Sequence, residues 1–488
     1  MNTVQRIARN TAVLLISQVI TYLLAFFYTM YTARYLGPAG FGILSFGLAF
    51  TGIFAVFGDL GLQPLTVREV ARDKSLAPKY LTNISLMKIF LVSVTFGLIC
   101  FTINLLGYSE TTIKVVYLLG LYIVLQAYIQ MFYSIFQAYE RMEYQSLGQI
   151  LNAFLILSGV LVAIKCGFRV ITFAALFPLA SMVVLGYNFV VLKGKFFDLF
   201  SAWSSQKIKI DWSFWKSTIK EALPFGLTGI FVTIYYWIDT VMLSLMKGNE
   251  VVGWYNAAYR IVLVLIVILS LYITAIYPVM SKFFKSSEED LKFIFERSIK
   301  YMLLINIPIV VGTTLLADRI ILLIFDSQYI PSIITLQILV WSCLFASIGA
   351  IFGYLLNSIN KQTTLTKIVG CGMILNIILN TLLIPNYSYI GASIATNITR
   401  FFVILIEFII LSKIGFNLPN RVFLNWILKL ITPSLAMAIF IKYFRNIHFL
   451  LLIVLSALLY FVTLYLVKGF DKDDLSLTKR LIYGKRGD

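Results

Sequence analysis

The chain has 488 residues, 60% of them hydrophobic and only 13% charged, with a formal net charge of +18. Soluble domains run at about 45–50% apolar and about 25% charged, so this composition excludes a soluble enzyme. It also excludes intrinsic disorder, which needs low hydrophobicity. A polytopic membrane protein remains, since each span takes about 20 residues and the length allows a dozen or more.

Apolar stretches of span length fall at 12–33, 39–62, 84–106, 115–138, 146–165, 170–192, 222–246, 254–280, 300–317, 332–357, 365–385, 391–412, 428–444 and 447–467. These fourteen segments predict an all-α polytopic membrane protein. The first follows Arg6 and Arg9, is too long for a signal-peptide core and lacks a small-residue cleavage pattern, so it reads as a span. Asp318, Arg319 and Asp326 interrupt the region 315–334, which reads as a helix end followed by a short interfacial turn.

Cationic residues accumulate in cytoplasmic loops. With the N-terminus inside, 29 of the 40 Lys and Arg fall on cytoplasmic segments and 8 outside, while Lys88, Arg260 and Arg400 lie within spans. This distribution predicts both termini in the cytoplasm. It also accounts for the positive charge through topology and membrane lipids, without nucleic acid. The expected organisation is an N-terminal lobe at 1–192, a basic cytoplasmic linker at 193–221, a C-terminal lobe at 222–412, extra spans at 428–467 and a basic tail at 468–488. Trp203, Trp212 and Trp215 place the linker on the membrane surface.

The halves resemble each other. Gly37-Pro-Ala-Gly-Phe-Gly42 lies between spans 1 and 2, and Gly248-Asn-Glu-Val-Val-Gly253 lies between spans 7 and 8 with the same spacing. Asn152 and Gly167 correspond to Asn376 and Gly391. Six helices separate the matched units, so the pseudo-repeats run parallel, an arrangement found in transporters with the site at the repeat interface.

No phosphate-binding loop of the Gly-x4-Gly-Lys-Ser/Thr type is present, so the chain does not power transport by its own ATP hydrolysis. Catalytic arrangements are equally missing, the outer loops are short, and the four cysteines and single His448 show no metal spacing, so neither an enzyme nor a cofactor is expected. The informative residues are intramembrane charges, which mark transport pathways by default. Asp239 in span 7 and Arg260 in span 8 sit at similar depth, and three readings stand: a structural ion pair, a cavity pair that opens for a substrate anion or proton, or side chains that snorkel to the interface. Arg400 and Glu407 share a face of span 12, with Arg400 the better substrate contact and Glu407 a weaker coupling or gating candidate. Asp59 and Lys88 read as an end-of-helix pair with a possible gating role, and Arg34 closes span 1 on the outside. Gln126, Gln130, Ser134 and Gln137 form a polar stripe on span 4, and Asn376 and Asn380 a similar pair on span 11. Each is either interhelical glue or a wall for hydroxyl-rich cargo.

The run Ala33-Arg-Tyr-Leu-Gly-Pro-Ala-Gly-Phe-Gly-Ile-Leu-Ser-Phe, then Phe57-Gly-Asp-Leu-Gly-Leu and Val67-Arg-Glu-Val-Ala-Arg, resembles the start of polysaccharide and O-antigen flippases. These belong to the multidrug/oligosaccharidyl-lipid/polysaccharide (MOP) exporter superfamily. Ile324-Phe-Asp-Ser-Gln-Tyr and Tyr389-Ile-Gly-Ala-Ser-Ile-Ala-Thr look like second-half signatures of the same family. The resemblance implies two six-helix lobes around a central cavity plus two C-terminal helices. It implies an undecaprenyl-diphosphate-linked oligosaccharide as cargo, carried by alternating access from the inner to the outer leaflet. Arg34, Asp239 and Arg260 fall on the helices that line the cavity in such proteins. Proton or cation coupling and contact with glycan assembly machinery are further expectations. The alternative is a cation-coupled small-molecule or drug antiporter; the lack of a carboxylate in span 1 weighs against it.

Overall fold

The computed structural model describes residues 3–205, 211–417 and 420–470. Lys207 and Lys209 of the linker and residues 471–488 of the tail lie outside the described residues. In chain order the helices are α1 (Thr3–Ala55), α2 (Leu62–Arg72), α3 (Ala77–Leu105), α4 (Glu110–Ala138), α5 (Met142–Lys165), α6 (Val170–Lys195), α7 (Phe197–Ser204) and α8 (Trp212–Lys247). There follow α9 (Asn249–Ser286), α10 (Glu288–Leu315), α11 (Ala317–Phe325), α12 (Ser332–Leu339), α13 (Trp341–Ser358), α14 (Gln362–Lys413), α15 (Asn420–Tyr443) and α16 (Phe449–Leu466). No strand occurs among the described residues.

Twelve stretches of helix among the described residues are long and apolar enough to cross a membrane. Two of them, Ala12–Gly58 and Gln362–Lys413, are of double length. Each is broken at one non-helical residue, Gly37 (φ 67°) in α1 and Ser388 (φ 53°) in α14. Treating the arms on either side of each break separately recovers the apolar segments read from the sequence. Several helices start before those segments, α8 and α10 by the most. α8 begins at Trp212 rather than 222, and α10 at Glu288 rather than 300. In these two the cap sets the start, not apolarity. The Asp211 carboxylate accepts from the Phe214 N–H at 2.9 Å, and the Ser287 hydroxyl accepts from the Asp290 N–H at 3.1 Å.

Two compact units divide the chain. The first comprises residues 1–260, 325–329 and 369–395. In it α1 packs along α4, α5 and α8, while α4 packs on α3 and α6. One core layer joins Leu44, Val115, Leu119, Val160 and Phe173; another joins Leu62, Leu81, Phe136 and Leu192. The second unit comprises 261–324, 330–368 and 396–488. There α10 packs on α13 and α15, and α15 on α16, around Phe295, Phe352, Leu411 and Tyr460.

Candidate functional site

The two matched glycine turns meet inside the first unit. A Cβ on Gly42 would stand 1.6 Å from the Asn249 carbonyl oxygen, and one on Gly253 would stand 2.0 Å from that of Pro38. Only glycine admits this approach of backbone to backbone. The second-half motif joins the same knot. Tyr329, fully buried, donates its hydroxyl to the Ala33 carbonyl at 2.9 Å, and the Trp254 indole N–H donates to the Gln328 carbonyl at 3.2 Å. Beyond the end of α1, Gly61 (φ 85°), the residue before α2, abuts Ala222 and Gly226 of α8. The first two spans are thus held against α8 and the start of α9 at two levels.

Between these levels lies Arg260, about a third of the way along α9. It lines a cleft with Tyr28, Thr29, Thr32, Phe41, Ser45 and Phe177. The cleft leaves about 10 Å³, room for no more than about one water. The Arg260 Nε is buried without a hydrogen-bond partner. Among the described residues no ion pair or hydrogen bond reaches this guanidinium. An uncompensated cation in a low-dielectric wall is costly and strongly attracts an anion.

The Asp239–Arg260 ion pair considered from the sequence does not form. Asp239, 5% exposed, accepts from the Tyr255 hydroxyl at 2.9 Å and from the Asn380 amide at 2.6 Å. Equal depth does not fix azimuth: Tyr255 and Arg260 are five residues apart on one helix, about 140° around its axis. With Tyr255 turned to Asp239, Arg260 faces elsewhere. Asn380 also donates to the Asn376 carbonyl oxygen at 3.0 Å, and both asparagines are fully buried. The Asn380 side-chain oxygen has no hydrogen-bond partner. The cluster therefore gathers a carboxylate and two amide oxygens, the donor type that hard cations select.

The other expected residues disperse. Arg400 donates to the carbonyl and hydroxyl of Ser342 on α13, at 3.0 and 3.1 Å. Glu407 is 2% exposed, its Oε2 has no hydrogen-bond partner, and it faces Gly349. Asp59 and Lys88 pair at 2.7 Å, with the Lys88 side chain only 1% exposed. Arg34 is exposed on the last turn before Gly37. Gln126 bonds to Ser181 of α6 at 3.0 Å and Gln137 to Gln145 of α5 at 2.8 Å, so these two join helices; Gln130 is half-buried between them. Sequence reasoning missed the Arg68–Glu221 bridge between α2 and α8 (2.6 Å) and the burial of Lys300, whose ammonium lies 6.0 Å from the Trp426 ring centre. Charges outside the apolar runs carry no sign of their partners in sequence, and Lys300 sits at the edge of such a run.

The geometry can be set beside known proteins. Residues 7–284 match the family described as polysaccharide biosynthesis protein, and 224–382 match the MatE family. The chain is 23% identical over 80% of its length to the Probable low-salt glycan biosynthesis flippase Agl15 of Haloferax volcanii, covering 80% of that protein. It is 25% identical to the lipopolysaccharide biosynthesis protein WzxC of Escherichia coli, over 66% of this chain and 64% of that one. Its fold is similar to that of lipid II flippase MurJ in an inward closed conformation, with TM-score 0.74, 17% identity, and coverage of 96% and 99%. The chain is a multi-pass membrane protein that belongs to the polysaccharide biosynthesis protein family.

Proposed function

We propose that the protein flips an undecaprenyl-diphosphate-linked oligosaccharide from the inner to the outer leaflet of the cytoplasmic membrane, for polysaccharide or O-antigen synthesis. It is a transporter and not a catalyst. The observation that carries this reading is Arg260: a half-buried guanidinium, without ion pair or hydrogen bond among the described residues, in a cleft of polar and aromatic side chains. A diphosphate is anionic and hydrated, and its glycan does not cross hydrocarbon unaided. Arg260 supplies charge-assisted hydrogen bonds in place of lost water, while the polyprenyl chain stays in lipid.

With about 10 Å³ free, the cleft admits the headgroup only when the helices around it part. Alternating access provides that step: the glycine contacts separate, the diphosphate enters against Arg260, and the opposite side opens to release it. Asp239 with Asn376 and Asn380 is the seat of the coupling cation or proton, whose gradient resets the cycle. Arg34 is a further cationic contact, and Arg400 is another if it exchanges Ser342 for a ligand; Glu407 and the Asp59–Lys88 pair are gating elements. The termini are cytoplasmic, where 29 of the 40 Lys and Arg fall under this topology. Glycan assembly enzymes supply the cargo and consume it.

The test is purified protein in liposomes with a fluorescent lipid-linked oligosaccharide, its leaflet followed by quenching under imposed ion gradients. Arg260→Ala is expected to slow flipping by about tenfold or more, and Arg260→Lys to retain part of it. Unaltered flipping by a folded Arg260→Ala protein overturns the proposal.

A further inference from the structure

Three loops distant in sequence form one groove of about 670 Å³ in the first unit. The turn before α3 and the first turn of α3 contribute Lys74, Ser75 and Pro78, the α4–α5 turn contributes Tyr139 and Arg141, and the α6–α7 junction contributes residues 195–199 and Ala202. The charge count assigns all three loops to the cytoplasmic side, so their meeting at one end of the unit agrees with that topology. Three cations face the groove against a single carboxylate, Asp198.

Its cations differ in freedom. Arg141 is fixed by Glu143 at 2.7 Å and by the Tyr144 hydroxyl at 2.8 Å. The Lys74 ammonium rests 5.2 Å over the Tyr139 ring, and Tyr139 packs edge-on against Phe196. Lys74 and Lys195 are exposed, and among the described residues neither ammonium has an ion pair. Apolar surface adjoins the charges. Phe197 on the groove wall is 66% exposed, and Trp203 follows on the same short helix, where aromatic residues mark the headgroup level of a bilayer.

We infer that this groove binds the headgroup of an anionic phospholipid of the cytoplasmic leaflet, with its phosphate between Lys74 and Lys195 and its acyl chains beside Phe197. Basic groups at this level attract anionic lipid, and the aromatic floor supplies the apolar contact that a free anion does not use. The site is independent of the transport reading, because it uses none of the transport residues.

The experiment titrates the full-length protein, in neutral detergent, with fluorescent phosphatidylglycerol. Unlabelled phosphatidylglycerol should displace the probe; phosphatidylcholine and inorganic phosphate should not. Lys74→Gln/Lys195→Gln should weaken binding by about tenfold, and Lys74→Arg/Lys195→Arg should bind as the parent does. Unchanged affinity in the glutamine protein, loss in the arginine protein, or equal competition by phosphatidylcholine or inorganic phosphate overturns the inference.

Discussion

The α-carbon of Gly42 lies so near Asn249 that a Cβ there would stand 1.6 Å from the Asn249 carbonyl oxygen. The obstacle is backbone, so no side-chain rotation relieves it. Gly42→Ala should therefore force α1 away from the α8–α9 hairpin and cost at least about 1–3 kcal/mol, the range for overpacking. Thermal unfolding in detergent checks this, with Gly97→Ala as the comparison: nothing lies within 4 Å of a Cβ at Gly97, so it should be tolerated.

Removing Arg260 should separate stability from transport. Its charge is uncompensated among the described residues, so Arg260→Met should leave the melting temperature unchanged or raise it while flipping falls. A structural ion pair would behave the opposite way, with both quantities dropping together.

Asp239→Asn keeps the shape of the side chain and removes its charge. Tyr255 still finds an oxygen acceptor there. The expected result is residual flipping that no longer responds to an imposed sodium or proton gradient. A gradient response equal to the parent's would remove Asp239 from the coupling role.

Much of the architecture is legible as apolar runs, because the bilayer sets one length for every span. The break at Ser388 falls in the gap between the segments 365–385 and 391–412, but that helix continues to within one residue of the turn on either side is not legible there. The match of the Gly37–Gly42 and Gly248–Gly253 turns is visible in sequence, but that they pack on each other is not. The partners of Asp239 are hidden for a different reason: Asn380 lies 141 residues away. Sequence gives the depth of a charge in a helix and says little about which neighbour it faces, and so the Asp239–Arg260 pair was available as a reading and absent as a contact.

Glu407 offers a test in the second unit. Its buried carboxyl has an oxygen without a hydrogen-bond partner and faces Gly349. A neutral amide fits such a place at least as well as a charge. Glu407→Gln should hold stability within about 1 kcal/mol of the parent. If it destabilises strongly in thermal unfolding, the carboxylate is serving an ionic contact.

The first turn of α8 should respond to acid. The Phe214 N–H, then Lys79 at 3.1 Å, hold the Asp211 carboxyl below its ordinary value of 3.8. A depressed carboxyl contributes stability above its unfolded value, and that contribution is lost as pH falls through the depressed value. Hydrogen-exchange protection at residues 212–216, taken relative to the intrinsic rate at each pH, should therefore fall on acidification below about pH 4. Asp211→Ala should show low protection already at neutral pH and little further change.

The hairpin end of the first unit is almost without connecting chain. α8 passes to α9 through the single residue Gly248, and α1 and α14 turn at Gly37 and Ser388 within continuous helix. A protease needs several extended residues to seat a substrate strand, and an antibody epitope needs a protruding loop. This end provides neither at those three turns, so tags or cleavage sites inserted there would have to unwind helix, making these turns poor places for reporters and resistant places for enzymatic attack.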